Sequence, residues 1–229
     1  IKKRASYSGL VLNERGFSRA VDSQCDEITF VIVASDEFSL KNQGMTTAQS
    51  VEYISELLKN KEKGIKVCIS IAAAFGCPFE GEVKPSRVIE IAEKCLDLRP
   101  DEISLADTIG VAVPKDIKQK VEPLISLYSN TPVRLHLHNT RNTAISNAWT
   151  AFELGVKRFD ASFGGIGGCP FAPNATGNVA IEDLVYLFER SGFDTGIDLD
   201  ASIKVAEWLR GQVKHPLPSA LLAAGDFKI

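Results

Sequence analysis

Three observations predict an α/β fold made of repeated strand–helix units. Strand-like and helix-like segments alternate from one end of the sequence to the other. The strand-like runs are near-continuously apolar, as in residues 26–34 (Asp-Glu-Ile-Thr-Phe-Val-Ile-Val-Ala), the pattern of a parallel strand covered on both faces. Polar residues with useful chemistry collect at the ends of those runs, where barrel enzymes build their sites. Together these favour a (β/α)8 TIM barrel over a doubly wound sheet, since no strand is followed by a Gly-x-Gly-x-x-Gly turn opening a helix. The 229 residues approach the about 250 of a typical barrel, so a single domain over 1–229 is the simplest expectation.

The first unit pairs a strand over residues 4–12 with a helix near 15–21. The second is the run 26–34 followed by residues 47–58, whose apolar positions recur at helical spacing and which Thr46 or Thr47 can cap. The third places a strand at 65–74 before a helix at 85–96, where Pro85 suits the first turn because the N–H it lacks would be unpaired there. Residues 102–107 and 114–128 form the fourth, 133–138 and 143–154 the fifth, and 156–162 with 181–190 the sixth. About six βα units are therefore present, two short of a closed barrel, and an amphipathic stretch at 199–209 reads as an added C-terminal helix.

Composition narrows the function classes. Hydrophobic residues at 45%, charged residues at 24% and a net charge of −3 are ordinary globular values, so neither nucleic acid nor an anionic membrane is expected as a partner. The Lys59–Lys63 patch ends a helical pattern and reads as a solvated face. Five cysteines, an odd number without Cys-x-x-Cys spacing, indicate neither a disulfide framework nor a zinc ribbon. A reducing, cytoplasmic setting is expected. No apolar run reaches the roughly 18 residues of a membrane span, and the first residues do not read as a signal peptide. The chain reads as opening in mid-fold, which leaves organellar targeting open.

The chemistry concentrates late in the chain. Residues 164–178 hold five glycines, two prolines and Cys169 directly after a strand, which is either a flexible connection or a hinged, thiol-bearing lid. His136 and His138, at i and i+2, share one strand face at its C-terminal end and suit metal chelation; a lone histidine is more often a satisfied core residue, but two of the chain's three stand here. Asn139 faces away from that pair. Asp107 closes the strand that also carries Ser104, and is either a cap of the strand exit or a carboxylate reaching a ligand or a metal-bound histidine. Asn178 is either a helix N-cap or a hard metal ligand. Cys77, in Phe75-Gly76-Cys77-Pro78-Phe79, echoes Cys169, but the two lie three units apart rather than the four of a half-barrel duplication, so the echo is local.

Five blocks in order, Tyr7-Ser8 to Asn13, residues 75–81, residues 102–110, His136-Leu137-His138 and residues 167–186, resemble the 3-hydroxy-3-methylglutaryl-CoA lyases, metal-dependent barrels related to the condensing enzymes. The Gly-Gly-Cys-Pro stretch is the most specific block. The resemblance implies that His136, His138 and Asn178 bind a divalent cation, Mg2+ or Mn2+, that Asp107 and Ser104 lie near the substrate with Asn139, and that His136, Asp107 and Cys169 serve catalysis. It implies cleavage of a CoA thioester to acetoacetate and acetyl-CoA, as in leucine degradation, with Cys169 donating a proton to the thioester enolate, and it suggests a homodimer. Two departures stand out: Asn139 occupies a position that is Asp in many of these lyases, and nothing before Tyr7 supplies the family's first-strand Arg-Asp pair. Either the chain belongs to a longer one or it is a truncated, impaired homologue. A related enzyme on another 3-hydroxyacyl-CoA and a non-catalytic binding barrel are the alternatives.

Overall fold

The structure is a computed structural model that describes residues 5–61, 64–168 and 177–227. Strand β1 (Ser8–Val11) leads into α1 (Glu14–Asp22), which Asn13 caps by accepting the Gly16 N–H on Oδ1 at 2.9 Å. β2 (Glu27–Val33) is followed by two helices, α2 (Asp36–Gln43) and α3 (Thr47–Leu58). Thr46 and Gln49 close a reciprocal capping box on α3. β3 (Lys66–Ala72) precedes a small antiparallel hairpin, β4 (Gly76–Cys77) with β5 (Gly81–Glu82), and α4 (Pro85–Leu96). β6 (Glu102–Asp107), α5 (Pro114–Leu127), β7 (Val133–Leu137), α6 (Ala144–Glu153) and β8 (Arg158–Asp160) continue the alternation. α7 (Ile181–Arg190), α8 (Leu199–Gln212) and the short α9 (Ala220–Ala224) complete the chain.

All five strand pairings of this six-stranded sheet run parallel in the order β1-β2-β3-β6-β7-β8, the βα arrangement expected. The sheet is curled into part of a (β/α)8 barrel: Arg134 on β7 reaches Glu27 on β2, three strands away. Side chains alternate between the two faces. Ile28, Phe30 and Ile32, then Ile69 and Ile71, Ile103 and Leu105, and Leu135 and Leu137 pack outward under the helices and are essentially fully buried. Thr29, Ser70, Ala72, Ala106, His136 and Asp160 point the other way, into the concave face. Among the described residues no helix is long and apolar enough to cross a membrane.

Three helices fall on the expected positions and three more within one residue of them, but most strands are shorter, β7 and β8 for a reason that bears on the site. β7 stops at Leu137 and β8 spans only Arg158–Asp160, because their C-terminal ends exchange partners. Residues 177–180 insert between them: the Val179 N–H donates to Leu137 O, the Asn139 N–H to Gly177 O, and the Ser162 N–H to Val179 O. His138 thereby forms an antiparallel bridge with Asn178, and Ser162 a parallel one with Ala180. α2, the hairpin and α9 are further elements the sequence reading left as connections.

The end of the barrel opposite the strand C-termini is closed by ions. Arg134 pairs with Glu27 at 2.9 Å and with Glu102, whose carboxylate also takes Arg158 at 3.1 Å. Glu102 is only 1% exposed, so its charge depends on those two guanidinium groups. Removing one partner of a buried pair strands the other, at about 3–5 kcal/mol, whereas an exposed pair contributes about 0–1 kcal/mol. Urea unfolding should accordingly show Glu102→Ala destabilised by about 3–5 kcal/mol and Arg158→Ala, half-exposed, by under about 1 kcal/mol; equal losses would mean that this network does not hold the barrel floor.

Candidate metal centre and active site

At the C-terminal end of the strands a cavity of about 460 Å³ opens on the concave face. One wall is apolar, from Leu10, Leu12, Val31, Val33 and Phe38; the other carries His136, His138, Asp160, Gly167, Gly168 and Asn178. His136 comes from β7 and His138 from the position just beyond it, so the two-residue strand period puts both rings on one face. Their Nε2 atoms stand 3.3 Å apart. In an octahedral site with ligand distances of about 2.1 Å, neighbouring donors lie about 3.0 Å apart, so this spacing fits two imidazoles sharing one small divalent cation.

Asn178 reaches the pair through the inserted segment. Its Nδ2 donates to Ile166 O at 2.9 Å, which turns Oδ1 the opposite way, and that oxygen is buried without a hydrogen-bond partner. A buried acceptor left unpaired costs about 1–3 kcal/mol, the signature of an atom kept for something else. Gly167 makes room for this amide: at φ +114° it takes a backbone conformation side chains avoid, and a Cβ there would stand 2.5 Å from Asn178 Nδ2. The turn preceding it, residues 163–165, is tied to α7 by the buried Glu182, whose two carboxylate oxygens accept the Gly164 N–H at 2.9 and 3.2 Å.

His138 is 4% exposed, and its Nδ1 also lacks a partner. Burial, and secondarily the neighbouring His136, push its pKa down to about 4. A neutral imidazole is the form that binds a metal, so the pocket keeps His138 ligand-ready well below neutral pH. His136 presents Nδ1 to Asp160 Oδ2 at 3.2 Å. Asp160 is a site residue the sequence reading did not single out. The signal was its register: it stands opposite His136 across the β7–β8 pairing, on the same face.

The remaining sequence candidates divide. Asp107 faces the helices, not the cavity; its Oδ1 accepts the Val111 N–H at 2.9 Å and its Oδ2 the Ala112 N–H at 3.0 Å. Burial raises its pKa, and those two N–H groups oppose the rise. Of the two roles the sequence leaves open for Asp107, a cap on the strand exit and a carboxylate at the ligand, these contacts are those of the cap. Asn139, expected at the substrate, is likewise turned away: its Oδ1 accepts the Ala144 N–H at the start of α6. Ser104 points inward, paired in register with the cavity-lining Ser70, and its buried Oγ has no partner. Cys169 lies outside the described residues.

A second group of potential ligands, Glu27, Cys68 and Glu102, has ligand atoms within 4.8 Å of one another. It stands on the barrel floor. Arg134 already neutralises both carboxylates, and burial pushes the Cys68 thiol up to about 12. With a cation in place among the ligands and no free thiolate, this group is a structural ion network and not a metal centre.

The HMGL-like family model matches residues 1–209. The chain belongs to the HMGL-like family. Its relatives there are lyases. It is 44% identical over 220 residues to the (R)-citramalyl-CoA lyase of Chloroflexus aurantiacus, covering 96% of this chain and 69% of that one. It is 37% identical over 209 residues to the hydroxymethylglutaryl-CoA lyase of Pseudomonas mevalonii, covering 91% and 69%. The structure of an HMG-CoA lyase from Acinetobacter baumannii in complex with coenzyme A and 3-methylmalate superposes with a TM-score of 0.94 at 40% identity, over 100% of this chain and 76% of that one.

The His138 environment has a measurable consequence. Its pKa is ordinarily about 6.5 and about 4 when folded, so between these values the unfolded chain takes up a proton that the folded chain refuses. The stability tied to the neutral ring is present above pH 6.5 and lost as the pH falls towards 4, on the order of 2–3 kcal/mol by pH 4.5. Urea unfolding with chelator present, at pH 7 and pH 4.5, should show His138→Gln losing less stability on acidification than wild type by that amount. An identical acid loss in both would place His138 outside a desolvated pocket.

Proposed function

We propose that the protein is a metal-dependent carbon–carbon lyase acting on a 3-hydroxy-3-methyl acyl-CoA with a terminal carboxylate, citramalyl-CoA first among them. The observation that carries the chemistry is the convergence of His136 Nε2, His138 Nε2 and the unpaired Asn178 Oδ1 on one cavity wall. The substrate rests on the 44% identity to a citramalyl-CoA lyase, and the 3-methylmalate found with coenzyme A in the A. baumannii structure, an isomer of citramalate, supports a short hydroxy-dicarboxylate of that size. Hydroxymethylglutaryl-CoA, one methylene longer, is the second reading, favoured by relatives of that name at 33–37% identity.

A divalent cation, Mg2+ or Mn2+, when held by His136, His138 and Asn178, supplies charge that polarises the substrate's hydroxyl and carboxylate oxygens. The chain's own residues do the rest. His136 and His138 turn their Nε2 atoms to one another across 3.3 Å, so both offer a ring nitrogen to the same point. The apolar wall of Leu10, Leu12, Val31, Val33 and Phe38 takes the methyl group and excludes water from the cleaving bond. A base removes the hydroxyl proton, the C2–C3 bond breaks, and its electron pair passes to the thioester as an enolate, leaving pyruvate. Cys169, on the glycine-rich segment, then gives its thiol proton to the enolate carbon, completing acetyl-CoA. The enzyme works as a homodimer in the cytoplasm.

Cleavage of both thioesters by the intact protein, followed through pyruvate or acetoacetate release with Mn2+ or Mg2+, tests this reading. Citramalyl-CoA should give the larger kcat/KM, chelation should abolish turnover, and Cys169→Ser should lower kcat by about 10²–10⁴, as for a lost general acid. Chelator-resistant cleavage would sink the metal role, and a preference for hydroxymethylglutaryl-CoA would select the second reading.

A further inference from the structure

The face of His136 turned from His138 meets a charged column that the proposed chemistry leaves without a task. Asp160 Oδ2 is 3.2 Å from His136 Nδ1, and Asp160 Oδ1 is 3.6 Å from Arg134 Nη1. Arg134 stands on the same strand and face as His136, two residues earlier, and is itself gripped by Glu27 and Glu102. A continuous chain of contacts thus runs from the buried floor to the imidazole: Glu102 to Arg134, Arg134 to Asp160, and Asp160 to His136.

We propose that Asp160, held by Arg134, is the positioning residue that fixes the tautomer and aim of His136. An imidazole has two equivalent ways to carry its one proton, and a ring pivoting about χ2 offers a metal whichever nitrogen faces it. A carboxylate on Nδ1 removes both freedoms. It places the proton on Nδ1, leaves the lone pair on Nε2, and aims that lone pair at the 3.3 Å gap shared with His138. Asp160 would itself swing without a partner, because β8 is the last strand of the sheet and the side chain is 39% exposed. Arg134 supplies that partner, and it is anchored because Glu102 is buried and cannot move with solvent. The floor network therefore acts on the site 2 layers above it as well as on stability. His138 has no such support: its Nδ1 is unpartnered.

The inference rests on the metal reading of the same site, and two separate readouts keep their failures apart. Long-range 1H–15N correlation spectra of the metal-free protein report the His136 tautomer directly, whether or not a metal ever binds; Mn2+ affinity, from the loss of the free-ion EPR signal, reports the site. Wild type should show His136 with the proton on Nδ1. Asp160→Leu should move His136 to a mixture of tautomers and weaken Mn2+ binding about 10–100-fold, the usual cost of losing such a support, with Tm close to wild type. Asp160→Asn, whose amide oxygen can still accept from Nδ1, should fall between the two, and it also serves if the leucine variant folds poorly. An unchanged tautomer and unchanged Mn2+ affinity in folded Asp160 variants would overturn the positioning role. Absence of Mn2+ binding by wild type with the Nδ1–H tautomer intact would instead overturn the metal reading and leave the Asp160–His136 contact standing.

Discussion

Segment 177–180, wedged between the separating ends of β7 and β8, is the constraint on which the site depends. Without it the two strands would pair to their ends, His138 would face another strand, and Asn178 would lie on a surface loop. With it, the Val179 N–H on Leu137 O and the Ser162 N–H on Val179 O replace the missing ladder bonds, so no backbone group is sacrificed. The wedge is held from behind by Glu182 on the Gly164 N–H and by the Gly177 N–H on Gly167 O. Glycine at 167 then lets the Asn178 amide lie flat against the turn. Backbone hydrogen bonding thus brings Asn178, with its unpartnered Oδ1, to the cavity that the two histidines also line.

The barrel segregates its charges by height. On the floor, carboxylates and guanidinium groups neutralise one another, and the cluster of Glu27, Cys68 and Glu102, which on distances alone resembles a metal site, is spent on Arg134. At the top, polar atoms are deliberately left over: His138 Nδ1 and Asn178 Oδ1 are buried without partners. Lone polar atoms beside a cavity and paired charges beneath it give the two levels different tasks, although Glu102 Oε1 on the floor is also buried without a hydrogen-bond partner. Arg134 and Asp160 join the two levels.

Much of this was legible in the sequence because it follows from periodicity. The two-residue strand repeat put His136 and His138 on one face, and α3, α4 and α7 fall where apolar spacing and caps place them. What periodicity does not carry is pairing. Asp160 matters because it stands across a register from His136, and a single strand read alone gives no register. Asp107 at its strand end left a cap and a ligand open; alternation from Ser104 and Ala106, which face inward, turns it outward, where it caps the Val111 and Ala112 N–H groups. The same alternation turns Asn139 away from the histidines in the sequence and in the structure alike. Asn178 left two roles open; the structure puts Ala180 at the N-cap of α7 and Asn178 in a bridge with His138, a pairing no single segment reveals.

The central claim, that the cation belongs to the upper cluster and not to the floor, is tested most directly by anomalous diffraction from crystals of the protein soaked in Mn2+. The account places a single strong peak at about 2.2 Å from His136 Nε2, His138 Nε2 and Asn178 Oδ1. A peak among Glu27, Cys68 and Glu102, or density beside the histidines that excludes Asn178, would contradict it.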